Sequence, residues 1–203
     1  MNWLAHVFLS EHNSEFQIGN FLADPLKGKA WASASDDLIK GMKTHILIDV
    51  YTDSHQIVSR SKARLREKGL LKSVVIDVVY DYFLSKNWDK YVGLSKVDFL
   101  LEFSHNARAD ILNYPDKPKT LVKNLIEGNR LDKYNTLDQL KNAFERIDSR
   151  LSPKLLARES TCSYFEKVCK IESELESDFL MFFPELCEYV KSNVDSKKLT
   201  HWR

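Results

Sequence analysis

The chain is poor in the residues that interrupt regular structure. Its 203 residues include only six glycines and five prolines. That is too few for the turn density of a many-stranded β fold, and the long stretches between them favour helices. Cysteine is scarce as well: Cys162, Cys169 and Cys187 lie in the last third, without C-x-x-C spacing. Three such residues make neither a disulfide framework nor a zinc site, and they read as core thiols of a cytoplasmic protein. No apolar run approaches the roughly 20 residues needed to cross a bilayer. The opening Met1-Asn2-Trp3-Leu4-Ala5-His6 lacks the basic start of a signal peptide. The net charge of +1 argues against nucleic-acid binding driven by overall charge, while leaving room for a local basic face. A glycine-rich phosphate loop, a serine nucleophile elbow, an internal repeat and a low-complexity tract are all missing.

What remains is a composition of 43% hydrophobic and 29% charged residues, enough for one all-α domain with a sizeable core. A short first helix is expected around Trp3–Leu9, then a polar loop before Gly19. Ser33, Ser35, Asp36 and Asp37 offer caps for a second helix running on through Ser54 to Val58. Gly69 breaks the chain before an apolar helix over Leu70–Trp88. Further amphipathic helices are expected over 95–113, 118–132, 136–150 and 156–193, with Pro184 ending or kinking the last. The domain spans 1–193, and residues 194–203 read as a polar, frayed tail.

The stretch from Gly41 to Asp53 organises the rest. It places His45, Asp49 and Asp53 four residues apart in succession, so the side chains stack on one helical face. Leu38, Met42, His45, Asp49 and Thr52 trace one side, which carries an acid toward the core. A carboxylate there needs a partner, either a bound cation or a basic side chain. Asp77 and Asp81 repeat the spacing in the apolar helix, and two facing acids call for something positive opposite them. His6 by itself reads as a core histidine and Asp24, before Pro25, as a turn residue. Taken together, His and Asp donors suit manganese, iron or zinc better than calcium, and metal-assisted hydrolysis is the natural reaction class. The basic run of Arg60, Lys62, Arg64, Arg66, Lys68 and Lys72 is either a solvated face or a docking patch for an acidic partner.

The motifs also carry a resemblance. Met1-Asn-x-Leu-Ala-His6, Gly19-Asn-x-Leu-Ala-Asp24 with Lys27-Gly28, His45-x-x-Ile-Asp49-x-x-Thr-Asp53-Ser-His55, Asp77-x-x-x-Asp81-x-Phe-Leu and Phe183-Pro-Glu-Leu186 together resemble the acyl carrier protein phosphodiesterase family. This family is a divergent relative of the HD-domain phosphohydrolases. The resemblance implies an HD-like helical bundle. It also implies metal-dependent hydrolysis of the link between 4′-phosphopantetheine and a serine of acyl carrier protein, with manganese as the cation and magnesium, iron(II) or zinc as alternatives. Carried over by position, His45 and Asp49 are the leading metal ligands, with Asp24, Asp81 and His6 completing or bridging the shell. Asp53, Asp77 and His55 become candidates for proton handling, and Lys27 and Arg150 for phosphate contacts. Arg60, Arg64, Arg66 and Lys68 become a docking face for the acidic carrier protein. The chain departs from the pattern at Ile46 and Leu47, where arginines are expected, at Tyr82 in place of histidine, and at Arg130 in place of tryptophan. Two other readings stand beside this one: a phosphohydrolase acting on a nucleotide or other small phosphate ester, and a helical carrier-protein-binding module without turnover.

Overall fold

The computed structural model describes residues 1–203. The chain folds as α1 (Trp3–Phe8), α2 (Ser14–Leu22), α3 (Asp36–Ser54), α4 (Gln56–Leu65), α5 (Lys72–Lys86), α6 (Trp88–Tyr91), α7 (Lys96–Asp110), α8 (Asp116–Glu127), α9 (Leu137–Asp148), α10 (Pro153–Leu156), α11 (Phe165–Lys170) and α12 (Glu172–Lys191). There is no strand, only an isolated bridge between Val92 and Trp202. The all-α expectation is borne out, and one continuous cluster of 50 buried residues serves as a single core. Caps start the main helices where short polar side chains reach a free amide: Asn13 accepts from Phe16, Ser35 from Leu38, Ser95 from Asp98 and Thr136 from Gln139.

The tightest joint in the fold is the crossing of α2 and α3. A methyl group at Gly19 would lie 2.0 Å from the Leu38 carbonyl oxygen, and one at Gly41 would lie 2.0 Å from that of Phe16. Each glycine therefore lets one backbone rest on the other, a separation that any side chain would prevent. Beyond this joint, the His45–Asp49 turn of α3 meets His6 of α1, which is itself hydrogen-bonded to Asn20 of α2.

Several boundaries differ from the sequence reading. The presumed loop before Gly19 is α2, because Asn13 caps it and Phe16, Ile18, Phe21 and Leu22 bury one face. The helix expected to run past Ser54 breaks at His55, which turns extended (φ −77°, ψ 131°) and caps α4 through its Nδ1. The long C-terminal helix is three segments. Pro184 sits inside α12 without ending it, since the ring faces solvent while Phe182, Phe183 and Leu186 are buried around it. The tail does not fray. Leu199 and His201 are buried, the His201 ring and the Trp202 indole meet the Phe8 carbonyl, and Trp202 stacks on Phe8. Its polar appearance concealed three residues able to bury apolar surface.

Candidate metal centre

The site is built from α1, α2, α3 and α5. His6 is the most constrained member. Ser10 Oγ donates to the His6 carbonyl at 2.8 Å, and Asn20 Nδ2 donates to Ser10 Oγ at 3.0 Å. The Asn20 carboxamide is thereby oriented with its oxygen 2.8 Å from His6 Nδ1, so that nitrogen carries the proton. Burial, with His45 adding to it, lowers the His6 pKa to about 4, and the ring is neutral at pH 7. Its Nε2 lone pair then faces Asp49 Oδ1 at 3.2 Å and the Met1 carbonyl at 3.2 Å. Three acceptors converge there with no proton among them.

His45 completes the group. Its Nε2 lies 3.0 Å from Asp49 Oδ2, its ring stacks on His6 with centroids 4.0 Å apart, and its buried Nδ1 has no partner. Ligand atoms of His6, His45 and Asp49 all lie within 4.8 Å of one another. Burial works to raise the Asp49 pKa, but the hydrogen bond from His45 and the positive Met1 amine 3.8 Å away outweigh it and hold the carboxyl far below its usual range. Asp49 is therefore an anion, 42% exposed, with an imidazole on either side. Two imidazole nitrogens and a carboxylate oxygen drawn this close together form a donor set that fits a borderline divalent cation. The residues present fit the metal.

The triad forms part of the wall of a cleft of about 320 Å³, which Asp24, Thr52, Asp53 and Asp77 also line. Asp77 accepts from the Met1 amine at 3.0 Å, and Asp53 pairs with Lys62 at 2.9 Å. The positive charge that the Asp77–Asp81 pair requires thus comes from the start of α1. Asp81, expected among the ligands, lies outside this cleft: it is fully buried, and its oxygens accept from the Leu4 and Ala5 amides at 2.8 and 3.2 Å. Both oxygens are committed to the N-terminal turn of α1. Burial nonetheless pushes its pKa up to about 7, against the pull of those amides. Asp81 anchors the helix that presents His6.

His55, expected to handle protons, is also outside the cleft, 3.2 Å from Glu185 and packed on Phe182. Lys27 is exposed on the turn after α2, with φ +53°, and does not line the cleft. Arg150 lines an adjoining smaller cleft. In the basic segment, Arg60 Nη2 and Arg64 Nε bond the buried Asp178 at 2.7 and 2.8 Å. Arg66 stacks on Tyr164 and reaches Glu159 at 3.6 Å, which leaves Lys68 exposed and outside these pairs. This run is in large part an internal clamp, because Asp178 arrives from α12 far away in sequence. Asn20, whose hydrogen bond to His6 joins two helices, had no role in the sequence reading, although it stands inside the Gly19–Asp24 motif.

Fold and site together define an all-helical protein with a His–His–Asp triad of metal-ligand type, open to an acidic cleft. The family model described as acyl carrier protein phosphodiesterase matches residues 1–186. The acyl carrier protein phosphodiesterase of Escherichia coli O6:K15:H31 (strain 536) is 30% identical over 193 residues, covering 93% of this chain and 96% of that protein. Those of Photorhabdus laumondii and Enterobacter sp. (strain 638) are 29% and 28% identical, over 94% and 98% of their lengths and 93% and 95% of this chain. The chain belongs to the acyl carrier protein phosphodiesterase family, as the motifs implied. No solved structure matches it significantly. No helix is long and apolar enough to cross a membrane.

Proposed function

We propose that this protein hydrolyses the phosphodiester linking 4′-phosphopantetheine to a serine of acyl carrier protein, giving apo carrier protein and free 4′-phosphopantetheine, in the cytoplasm. The observation that carries the reading is the convergence of His6 Nε2, Asp49 and His45 without a proton to reconcile the first two. His6, His45 and Asp49 hold the cation, manganese in the first instance. Bound there, a divalent cation lowers the pKa of water and offsets charge on a phosphoryl group.

The chain's own residues supply the rest. Asn20 keeps the His6 proton on Nδ1, so the ring presents a lone pair to the cleft. Asp77 or Asp53, carboxylates on the cleft wall, would take the proton of the attacking water and then return it to the departing serine oxygen. Asp24 lines the cleft where the chain leaves α2 and adds negative charge that favours cation entry.

The test is direct. Purified protein is incubated with holo-acyl carrier protein and manganese while the mass of the carrier is followed. Loss of the phosphopantetheine mass is expected, and Asp49→Ala should abolish both the loss and stoichiometric metal. If the carrier mass stays unchanged while Asp49→Ala matches wild type on other phosphodiesters, both enzymatic readings fail. If small esters alone are cleaved, the carrier-protein assignment fails.

A further inference from the structure

Beside the metal cleft lies a second one of about 70 Å³ that shares Asn2, Trp3, Val78 and Ile147 with it. Arg130, Arg146 and Arg150 line this smaller cleft. Arg130 comes from the turn after α8, Arg146 from the last turn of α9, and Arg150 from the turn just beyond. None of the three has a carboxylate within ion-pair distance, whereas Arg60, Arg64 and Arg66 each have one. Nor do their guanidinium groups bond any other side chain. Burial and the approach of Arg150 and Arg146 lower the pKa of Arg130 from its usual value. Arg130 and Arg146 are half-buried, and the Arg130 guanidinium stands 5.9 Å from the Trp3 ring, which both clefts share.

Helix-end electrostatics accounts for part of this arrangement, because cations near the end of α9 complement its dipole. It does not account for Arg130, which belongs to a different segment and is brought to the other two at a cost in repulsion. A cluster of unpaired guanidinium groups around a small cleft favours an anion, and the planar forks of arginine suit tetrahedral oxyanions.

We propose that Arg130, Arg146 and Arg150 form an anion subsite for a phosphate ester beside the His6–His45–Asp49 centre. Assigning that phosphate to the substrate or product rests on the hydrolase reading, whereas the anion subsite does not. The shared wall of Trp3 and Ile147 places the oxyanion next to the metal cleft. The apolar rim would meet the chain that follows the phosphate.

Binding of inorganic phosphate, and of 4′-phosphopantetheine against pantetheine, is measured on the full-length protein freed of metal by a chelator. The panel comprises wild type, Arg146→Gln, Arg150→Gln and the exposed control Arg108→Gln, each checked by circular dichroism. Phosphate and phosphopantetheine should bind wild type and the control alike. Each cleft variant should weaken both by about tenfold or more, the scale of one charge-assisted contact. Pantetheine binding should stay unchanged, as should the metal each variant carries before the chelator is added. Arg150→Gln, at an exposed position, keeps the test available if the Arg146 variant misfolds. The proposal is overturned if the cleft variants bind phosphate like wild type, or if wild type binds none without metal. It is equally overturned if they lose only carrier-protein binding, since the cluster would then dock acidic side chains. Phosphate binding lost in the variants, in a protein that never hydrolyses holo carrier protein, supports the subsite and refutes the hydrolase reading alone.

Discussion

Replacing Asn20 with alanine would show whether the buried polar chain behind His6 sets up the metal centre. Asn20 is fully buried, and its carboxamide both accepts from His6 Nδ1 and donates to Ser10 Oγ. Without it the His6 Nδ1–H has no partner, and a buried unsatisfied donor costs about 1–3 kcal/mol. The ring can recover by moving its proton to Nε2 and donating to Asp49, which removes the lone pair that the cation needs. Loss of a hydrogen bond that orients a ligand usually weakens metal binding by roughly 10–100-fold, or about 1.4–2.8 kcal/mol. The assay is a competition titration of manganese against a chelator, paired with denaturant unfolding of metal-free protein. Ser61→Ala is the control: it is a buried polar truncation at the Asp178 clamp, remote from the triad. The expected outcome is that both variants lose stability and only Asn20→Ala loses metal affinity. Wild-type affinity in Asn20→Ala would refute the tautomer argument. Equal losses in the two variants would mean that general loosening, and not ligand orientation, weakens the site.

Three further outcomes follow from charges away from the triad. Arg64→Glu would set a carboxylate against Asp178, which is 1% exposed but keeps Arg60 and Ser61, and should cost about 1–3 kcal/mol in denaturant unfolding; Lys68→Glu should leave stability intact and raise KM for carrier protein at low salt if the exposed side of this segment docks it. Asp148 accepts from Ser160, from the Thr161 amide and hydroxyl at 2.7 and 2.8 Å, and from the Cys162 amide at 3.2 Å. Burial works to raise its pKa, yet these bonds bring it down to about 2 from 3.8, so the native state releases its proton first as pH rises. The stability it contributes, about 1–2 kcal/mol after allowing for partial exposure, is present above pH 3.8 and lost as pH falls through about 2. The difference in unfolding free energy between wild type and Asp148→Asn should therefore be full at pH 6 and close toward zero near pH 2; a constant difference would refute it.

Much of the site was legible because helical spacing is a local rule. His45 and Asp49 lie on the stripe that Leu38 and Met42 begin, and the structure buries Leu38, Met42, His45 and Thr52 as that stripe requires. Asp53 follows the same interval but sits 70% exposed, because α3 ends one residue later and its last turn leaves the core. The need for positive charge near Asp77 and Asp81 was also legible. Its source was not, since nothing local ties Met1 to a helix more than 70 residues away. The same distance hid the role of Asp81: an acid on a buried helix reads alike whether it faces a cation or the free amides of another helix. The basic segment misled for a related reason, because its partner Asp178 arrives from α12. The Gly19–Gly41 joint was hidden too, since a glycine in sequence does not disclose what will rest against it.

The substitutions at Ile46 and Leu47 take on a different sense beside the arginine cleft. Ile46 is 51% exposed and Val50, one turn on, is 62% exposed, so the outer face of α3 beyond the triad is apolar instead of cationic. A phosphodiester approaching the triad still requires compensating charge, because an acidic cleft lined by Asp24, Asp49, Asp53 and Asp77 repels it. In the proposed subsite that charge comes from Arg130, Arg146 and Arg150, in the adjoining cleft that shares Trp3 with the metal cleft. Arginine introduced at positions 46 and 47 of this chain should do little to rescue an Arg146→Gln variant, because neither position lines the metal cleft or the arginine cleft.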